Sequence, residues 1–383
     1  MRWGIVVAAG TAVAAGAGAV VLIVGRRVSS LAVQSGPAAE PTVRSTARSA
    51  ARSADQPLRV QAIGAADVTL TRTAASERRG RYALEWPGGH AVVGEVLRSG
   101  PKGVTRRLEL SAGSPPAVGA QVELTPRVLR GDPGSACGLD YMDVLVEGEL
   151  GPLPAWYVPA LRGTWVILVH DPEADRRQAL PALPVLHRLG LPALVVSCRG
   201  DQGAPPSPDG LGHFGETEWH DVEAAIQFAK EAGAGRIILY GWSLGAATVL
   251  RAAARSEHRA ELAGLVLDSP VLDPAAAVRG RAARAGVPAG AARLGALAAE
   301  GRTGVDVAGF ARLADGADLP GPTLLLHSPQ DGIAPWHDAA RLAHRRSDLV
   351  SLHAVPGAEH AALWNADPAG YEESLRRFLT PIL

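Results

Sequence analysis

The chain has 383 residues, which is enough for one large domain or two smaller ones with a well-buried core. Apolar residues make up 47% and charged residues 20%, so the composition is that of a globular protein rather than a disordered chain. Lys+Arg 38 and Asp+Glu 38 cancel to a net charge of +0, which excludes a whole-chain electrostatic attraction to nucleic acid. The two cysteines, Cys137 and Cys198, exclude a disulfide framework and a four-cysteine zinc site.

The first predicted element is a transmembrane anchor over residues 1–27. From Gly4 to Gly25 the chain carries no charge, and at about 1.5 Å per residue it is long enough to cross a bilayer core. The apolar run ends directly in Arg26-Arg27, which favours an uncleaved anchor over the alternative, a cleaved signal peptide. The few positive charges around the span leave both orientations open, and with them the side of the membrane on which the rest of the chain lies.

Two segments of different character follow the anchor. Residues 28–57 are rich in Ser, Ala, Pro, Arg and Thr without periodicity, which predicts a flexible linker. Residues 58–140 contain short β-prone runs between Gly and Pro, which predicts a small β-rich domain with a packing or covering role and no chemistry of its own. The predicted strands include Val68–Thr71, Arg81–Trp86, Ala91–Leu97 and Val104–Leu110.

In residues 141–383, continuous apolar strands alternate with helical stretches, which predicts an α/β domain with a mostly parallel sheet covered on both faces. In such sheets, functional sites form at the carboxyl ends of the strands. The predicted strands are Thr164–Val169, Ala193–Cys198, Arg236–Tyr240, Gly264–Asp268, Thr323–His327 and Val350–Val355. The predicted helices are Gln178–Leu189, Glu216–Ala232, Leu244–Ser256 and Pro368–Leu379.

A candidate nucleophile stands between a strand and a helix. The run Gly241-Trp242-Ser243-Leu244-Gly245 follows the strand Ile237–Tyr240 and opens an Ala-rich helix. The glycines of a G-x-S-x-G turn let neighbouring backbone approach closely, and the serine then stands at a helix N-terminus, where negative charge is favoured. We therefore predict that Ser243 is a nucleophile.

A serine nucleophile needs a base, normally a histidine whose tautomer is fixed by a carboxylate. Asp331 lies in a loop just past one predicted strand, and His360 lies in a loop past the last strand. The carboxyl ends of parallel strands share one sheet edge, so these loops can meet above Ser243. Asp268 also ends a strand and is an alternative acid; its other predicted role is a hydrogen bond that anchors Ser269-Pro270.

On these motifs, residues from about 140 to 383 resemble the α/β-hydrolase superfamily, whose triad has the chain order Ser, Asp, His. Within it, the chain is most similar to actinobacterial membrane-anchored hydrolases with a Gly-Trp-Ser-x-Gly elbow. The resemblance implies the α/β-hydrolase fold, nucleophile Ser243, acid Asp331 and base His360. It rests on Thr217-Glu-Trp219, Gly241-Trp242-Ser243, Leu267-Asp-Ser-Pro270 and Trp364-Asn365-Ala-Asp-Pro368.

The predicted oxyanion hole departs from this family. Its pattern is His-Gly followed by a residue whose N–H helps to bind the oxyanion, whereas this chain reads His170-Asp171-Pro172, and Pro172 has no N–H. Losing one oxyanion donor costs on the order of 10²–10³ in rate. We expect the amide of Leu244 to be one donor and Asp171, or else Glu173, to supply the other. An Asp171 carboxylate near the oxyanion would repel its charge unless it points away.

The remaining candidates concern substrate binding. Trp242, Trp364 and His170 flank the predicted catalytic loops, and each tryptophan either lines an acyl pocket or packs structurally. Residues 273–318 form an Ala/Arg/Gly-rich insertion, predicted as a cap that sets substrate size, with a helix over Ala275–Leu297; the alternative is a surface excursion away from the site.

The function that the sequence favours is that of a membrane-anchored serine hydrolase cleaving carboxylic esters of a small-molecule acyl substrate. No metal, organic cofactor or nucleic-acid partner is expected, and the oligomeric state is left open. An amide hydrolase or acyltransferase with the same triad remains possible, as does a non-catalytic binding protein with an impaired oxyanion hole.

Overall fold

A computed structural model describes residues 29–30 and 57–383. The predicted anchor and most of the predicted linker lie outside these residues, and no helix within them has the length and apolar character needed to cross a membrane. Ser29 and Ser30 belong to the predicted linker, yet both are helical, and Arg302 Nη1 donates to their hydroxyls at 2.7 and 3.1 Å. These two residues are therefore packed against the folded part of the chain.

The first sheet confirms the predicted antiparallel β-rich domain. Its six strands lie in the order β1-β2-β5-β4-β3-β6, and all neighbours are antiparallel. Val68 and Leu70 alternate with half-buried neighbours and face a core that Tyr82 and Leu84 complete. The strands are β1 (Val60–Ile63), β2 (Asp67–Thr71), β3 (Tyr82–Trp86), β4 (Gly89–Ser99), β5 (Gly103–Gly113) and β6 (Glu123–Thr125).

The second sheet confirms the predicted α/β class. Eight strands lie in the order β14-β13-β12-β11-β9-β10-β8-β7, and β9 to β14 are mutually parallel. Every residue of β9 and β12 is buried, because helices cover both faces. The strands are β7 (Met142–Gly148), β8 (Gly151–Val158), β9 (Thr164–Val169), β10 (Ala193–Val196), β11 (Arg236–Trp242), β12 (Leu262–Asp268), β13 (Thr323–His327) and β14 (Val350–Ala354).

Helices follow most of the parallel strands. In chain order they are α1 (Pro133–Cys137), α2 (Leu183–Arg188), α3 (Trp219–Glu231), α4 (Leu244–Arg255), α5 (Pro274–Arg284), α6 (Ala289–Thr303), α7 (Val307–Ala314), α8 (Trp336–Arg345), α9 (Leu363–Ala366) and α10 (Pro368–Leu379). Three predicted helices are confirmed: α10 has the predicted bounds, and the ends of α3 and α4 differ from the prediction by at most three residues.

The structure corrects two features of the α/β domain. The antiparallel hairpin β7–β8 at the sheet edge was not predicted, because the exposed strand β7 has no continuous apolar run. The predicted helix Gln178–Leu189 is split into a 3₁₀ turn, Arg176–Ala179, and α2. Pro181 separates them, since proline cannot donate the N–H that a continuous helix needs.

The insertion also differs from its prediction. The single helix expected over Ala275–Leu297 is replaced by α5 and α6, which are separated by Gly286 at φ +72° and by Pro288. Val278 of α5 and Phe310 of α7 share a buried cluster with Leu244 at the start of α4. The insertion therefore packs against the predicted site rather than projecting away from it.

Candidate active site

Ser243 occupies a strained turn between β11 and α4. Its φ of 54° and ψ of −116° lie in a sparsely populated region that non-glycine residues adopt only when their surroundings enforce it. A Cβ at Gly245 would lie 2.3 Å from the Val169 carbonyl oxygen, and one at Gly241 would lie 2.5 Å from the Gly245 carbonyl oxygen. Both glycines are thus required by close backbone approach, as the G-x-S-x-G pattern implies.

The three residues predicted as nucleophile, base and acid lie in hydrogen-bonding distance of one another. Ser243 Oγ is 2.7 Å from His360 Nε2, and His360 Nδ1 is 2.7 Å from Asp331 Oδ2. The amides of Ile333 and Ala334 donate to Asp331 Oδ1 at 2.8 and 2.9 Å. Burial tends to raise the pKa of Asp331, but its bonds to His360 and to these amides lower it overall, so it is held as a carboxylate.

Asp268, the alternative acid, is bonded elsewhere. Its Oδ2 accepts from the Tyr371 hydroxyl at 2.7 Å, and its Oδ1 accepts from Ser269 Oγ at 2.9 Å, which is the predicted anchoring bond. Ser269 Oγ accepts in turn from the N–H of Ala361, the residue after His360, at 3.1 Å. Burial raises the pKa of Asp268 to about 6. Asp268 therefore supports the His360 loop from below and does not contact the imidazole.

The loop expected to complete the oxyanion hole has a different arrangement from the one predicted. The Asp171 N–H donates to Gln178 Oε1 at 2.8 Å, and the Glu173 N–H donates to Asp171 Oδ1 at 2.7 Å, so neither amide is free for a substrate oxygen. The Asp171 carboxylate does not point away. Its Oδ2 accepts from the Leu244 N–H at 3.4 Å.

Arg281, on α5 of the insertion, lies directly beside that carboxylate. Its Nη2 donates to Asp171 Oδ2 at 3.3 Å, and its Nε forms an ion pair with Glu173. Burial tends to raise the pKa of Asp171, but the neighbouring Arg281 guanidinium lowers it overall. No sequence pattern singles out Arg281, because all but two of the 38 basic residues are arginines.

His170 does not contribute to the site as predicted. It is buried, its Nδ1 is 2.8 Å from the Asp171 carbonyl oxygen, and its Nε2 is 3.0 Å from Asp201 Oδ2. Burial alone would lower the pKa of His170, but the neighbouring Asp201 carboxylate raises it to about 9. Both ring nitrogens are occupied, so the ring holds the Asp171 loop instead of meeting a substrate.

A cleft of about 710 Å³ opens beside these residues, between the two sheets. Trp242 and Trp364 both line it, and both also pack: Trp242 stacks on Tyr240 with ring centroids 4.1 Å apart. Glu173, from the loop that follows His170, also lines the cleft. Ser243 is fully buried and does not line it. Other lining residues include Thr125, Arg127, Arg130, Gln178, Arg284 and Ala361.

The β-rich domain contacts the loop that carries His360. Asn365 Nδ2 donates to the carbonyl oxygens of Arg81 and Pro126 at 2.9 Å each, and the Arg81 N–H donates to the Asn365 carbonyl oxygen at 2.7 Å. Arg78 forms an ion pair with Glu359, the residue before His360. The domain expected only to pack or cover is thus bonded on both sides of His360.

Within the described part of the chain, no group of three or more His, Cys, Asp or Glu side chains is arranged to hold a metal ion. Cys198 is buried, and Cys137 is partly buried.

A family model described as a domain of unknown function, DUF8805, matches residues 59–125, the region of the first sheet. No protein with a curated description matches the chain.

Three crystal forms of the esterase Pf2001 from Pyrococcus furiosus are similar in structure to this chain. Two of them have 19% identity and one 20%, each with a TM-score of 0.53. The matches cover 66% to 67% of this chain and 95% to 98% of the esterase. At this identity the likeness shows the fold, and the second sheet with its helices is accordingly α/β-hydrolase-like.

Proposed function

We propose that this protein is a serine hydrolase that cleaves carboxylic esters. The observation that carries the proposal is the hydrogen-bonded series Ser243–His360–Asp331, with 2.7 Å at both links, at a strained turn between a strand and a helix. An exposed or structural serine does not require a strained backbone, a base and an acid fixing that base. Nucleophile activation does.

The geometry supports the following reaction. Ser243 Oγ attacks the ester carbonyl carbon while His360 Nε2 takes its proton, and Asp331 stabilises the imidazolium. The carbonyl π electrons move to the oxygen, which the Leu244 N–H faces. When the tetrahedral intermediate collapses, the alkoxide leaves with the proton from His360. Water, activated by the same imidazole, then releases the acid and restores the Ser243 hydroxyl.

An ester is proposed rather than an amide because the structural relative Pf2001 is named an esterase. Amide hydrolysis and acyl transfer use the same three residues, and the substrate separates them. We expect hydrolysis of p-nitrophenyl acetate and much slower release from p-nitroacetanilide; the reverse order would assign the site to amides, and ester turnover stimulated by an added alcohol would assign it to acyl transfer.

A non-catalytic binding protein is the second candidate, and one observation favours it. The Asp171 carboxylate accepts a hydrogen bond from the Leu244 N–H, so a negatively charged group already occupies the position of an oxyanion. This arrangement is compatible with a protein that binds a ligand without hydrolysing it.

Labelling with a fluorophosphonate probe distinguishes the two candidates, because the probe reacts only with an activated serine. We expect the full-length protein to be labelled and Ser243→Ala not to be. Ser374→Ala is the matched control, since the Ser374 hydroxyl only donates to the Gly370 carbonyl oxygen on α10. Labelling of Ser243→Ala would show that the nucleophile is another residue. Absence of labelling in the wild type and in both variants would favour the binding protein.

We further propose that residues 1–27 anchor the enzyme in a membrane by a single span. The uncharged run from Gly4 to Gly25 supports this. A charge at the centre of a span costs about 3 kcal/mol on insertion scales, so Val13→Arg should move the full-length protein from the carbonate-resistant membrane fraction to the supernatant. Wild-type protein in the supernatant would contradict the anchor.

A further inference from the structure

We propose that the guanidinium of Arg281 is the second oxyanion donor of this site, and that the Asp171 carboxylate occupies the oxyanion position in the resting protein. The inference rests on the proposed serine hydrolase function and deepens it. It assigns a catalytic contact to a side chain of the insertion, and it gives the insertion a role in the reaction itself.

The first argument is that the backbone leaves one donor missing. Pro172 has no N–H, and the amides of Asp171 and Glu173 are already bonded to Gln178 Oε1 and to Asp171 Oδ1. Of the backbone donors predicted for the oxyanion hole, the Leu244 N–H is the one that lies next to Ser243 and faces Asp171 Oδ2. An oxyanion hole with a single donor would be weak, so a second donor has to come from a side chain.

The second argument is that a negatively charged oxygen already marks the place. Asp171 Oδ2 lies 3.4 Å from the Leu244 nitrogen and 3.3 Å from Arg281 Nη2. These are the surroundings that a tetrahedral oxyanion needs: the amide after the nucleophile and one further donor. Donor distances in resting sites are often long and shorten in the transition state.

The third argument is that Arg281 is built into the site. Arg281 is only 7% exposed. Arginine is rarely buried unless its nitrogens have partners. Among the described residues, Nη1 has no hydrogen-bond partner, so the guanidinium retains a donor for an incoming oxygen. Charge-assisted hydrogen bonds are roughly twice as strong as neutral ones, so this donor can replace a lost amide.

Access to Ser243 then requires Asp171 to leave. Glu173 lines the cleft and is paired with Arg281, whereas Ser243 is fully buried and does not line the cleft. A substrate carbonyl oxygen takes the place of Asp171 Oδ2, and the negative charge that develops on it replaces the charge of the displaced carboxylate. When the intermediate collapses, the electron pair returns to the carbonyl bond and Arg281 is released to Asp171.

The test is a double-variant comparison in the full-length protein, measuring kcat and KM on p-nitrophenyl acetate together with the rate of fluorophosphonate labelling. Asp171→Gly removes the resident carboxylate, and we expect it to raise both kcat and the labelling rate. In the Asp171→Gly background, Arg281→Met should lower kcat by about 10²–10³ with little change in KM. Arg281→Lys, which keeps the charge, should recover part of that loss.

The Asp171→Gly background shows whether Arg281 donates to the oxyanion or only neutralises the Asp171 carboxylate. If Arg281 only neutralises Asp171, removing Arg281 from the Asp171→Gly background will leave kcat within about threefold, and the inference is wrong. Arg279→Met is the matched control on the same helix, because Arg279 is an exposed partner of Asp273 3.6 Å away; its kcat should not change.

Two further measurements distinguish a folding defect from a loss of function. Circular dichroism and a thermal melt identify a variant that fails to fold, in which case the Arg281→Lys comparison carries the decision. Absence of labelling in both the wild type and Asp171→Gly would remove the proposed hydrolase and this inference with it. Labelling without the loss at Arg281 overturns the inference alone.

Discussion

Two carboxylates follow neighbouring strands of the second sheet, but their partners differ. Asp331 lies 2.7 Å from His360 Nδ1, whereas Asp268 is bonded to Tyr371 and Ser269. The difference lies in their distance from the strand ends. Asp331 lies in the loop after β13, which brings it to the imidazole, whereas Asp268 is the last residue of β12.

Asp331→Asn should therefore lower kcat on an ester by about 10⁴-fold, because the amide stabilises the wrong tautomer of His360 and cannot neutralise the imidazolium. Asp268→Asn should lower kcat by less than about tenfold, since the bond it weakens only supports the loop. Steady-state kinetics of the two variants measure this. Equal losses, or a larger loss at Asp268, would assign the acid to Asp268.

The buried Asp268 also predicts a dependence of stability on pH. Its pKa is raised by burial from 3.8 to about 6, so folding favours the protonated form. The stabilisation is fully present below about pH 4 and is lost as pH rises through 6. The free energy of unfolding of the wild type, relative to Asp268→Asn, should fall by about 2 kcal/mol between pH 4 and 7. Urea titrations at both pH values measure it, and a difference that stays constant or rises is the contrary result.

At the scale of single elements, the turn from β11 to α4 depends on atoms outside it. Gly245 is a helical residue, and by propensity alone Ala would suit it better. Its missing Cβ instead leaves room for the carbonyl oxygens of Val169 and His170, at 2.3 and 2.5 Å from where a Cβ would be. The requirement thus comes from β9 and not from α4 itself.

Gly245→Ala should destabilise the protein by about 3 kcal/mol, because the backbone of β9 cannot yield as a flexible side chain would. Gly301→Ala in α6 is the control: nothing lies within 4 Å of the added Cβ, so the helix should gain about 0.5–1 kcal/mol. Chemical denaturation of both variants measures the difference. A destabilisation at Gly301 similar to that at Gly245 would mean that close approach is not the cause.

At the scale of the whole molecule, the first sheet and the α/β domain meet beside His360. Gly80, at φ +94°, packs so closely that a Cβ would lie 1.9 Å from the Asn365 carbonyl oxygen. The ion pair of Arg78 with Glu359 adds a second contact. The β-rich domain therefore restrains the loop that carries the predicted base.

Gly80→Ala should lower both stability and kcat, because the added Cβ forces the first sheet away from Asn365 and loosens the His360 loop. Gly88→Ala is a matched control: its φ of +88° imposes similar strain, of about 1–2 kcal/mol, but nothing lies within 4 Å of the added Cβ. Thermal melts and ester kinetics should show a loss of kcat only in Gly80→Ala. An equal loss in both would mean that backbone strain, not domain contact, is responsible.

The sequence predicts those elements that are encoded by local patterns of neighbouring residues. The strands β9 to β14 are predictable because continuous apolar runs bounded by turns are local patterns. The edge strand β7 and the break between α5 and α6 are not, since an exposed strand is not apolar and the Ala-rich sequence around Gly286-Val287-Pro288 resembles a single helix. The anchor over residues 1–27 lies outside the described residues and stays a prediction.

The α/β class, the strand-to-helix position of Ser243 and the loops of Asp331 and His360 are predictable from local sequence patterns, because each is encoded within a few neighbouring residues. Long-range packing fixes the contact of the imidazole with Asp331 rather than Asp268, the turn of Asp171 towards Leu244, the enclosure of His170 and the position of Arg281 beside Asp171. These are contacts between residues far apart in the chain. Their partners are chosen by how the sheet, the insertion and the β-rich domain pack together, and no local pattern of residue types records that packing.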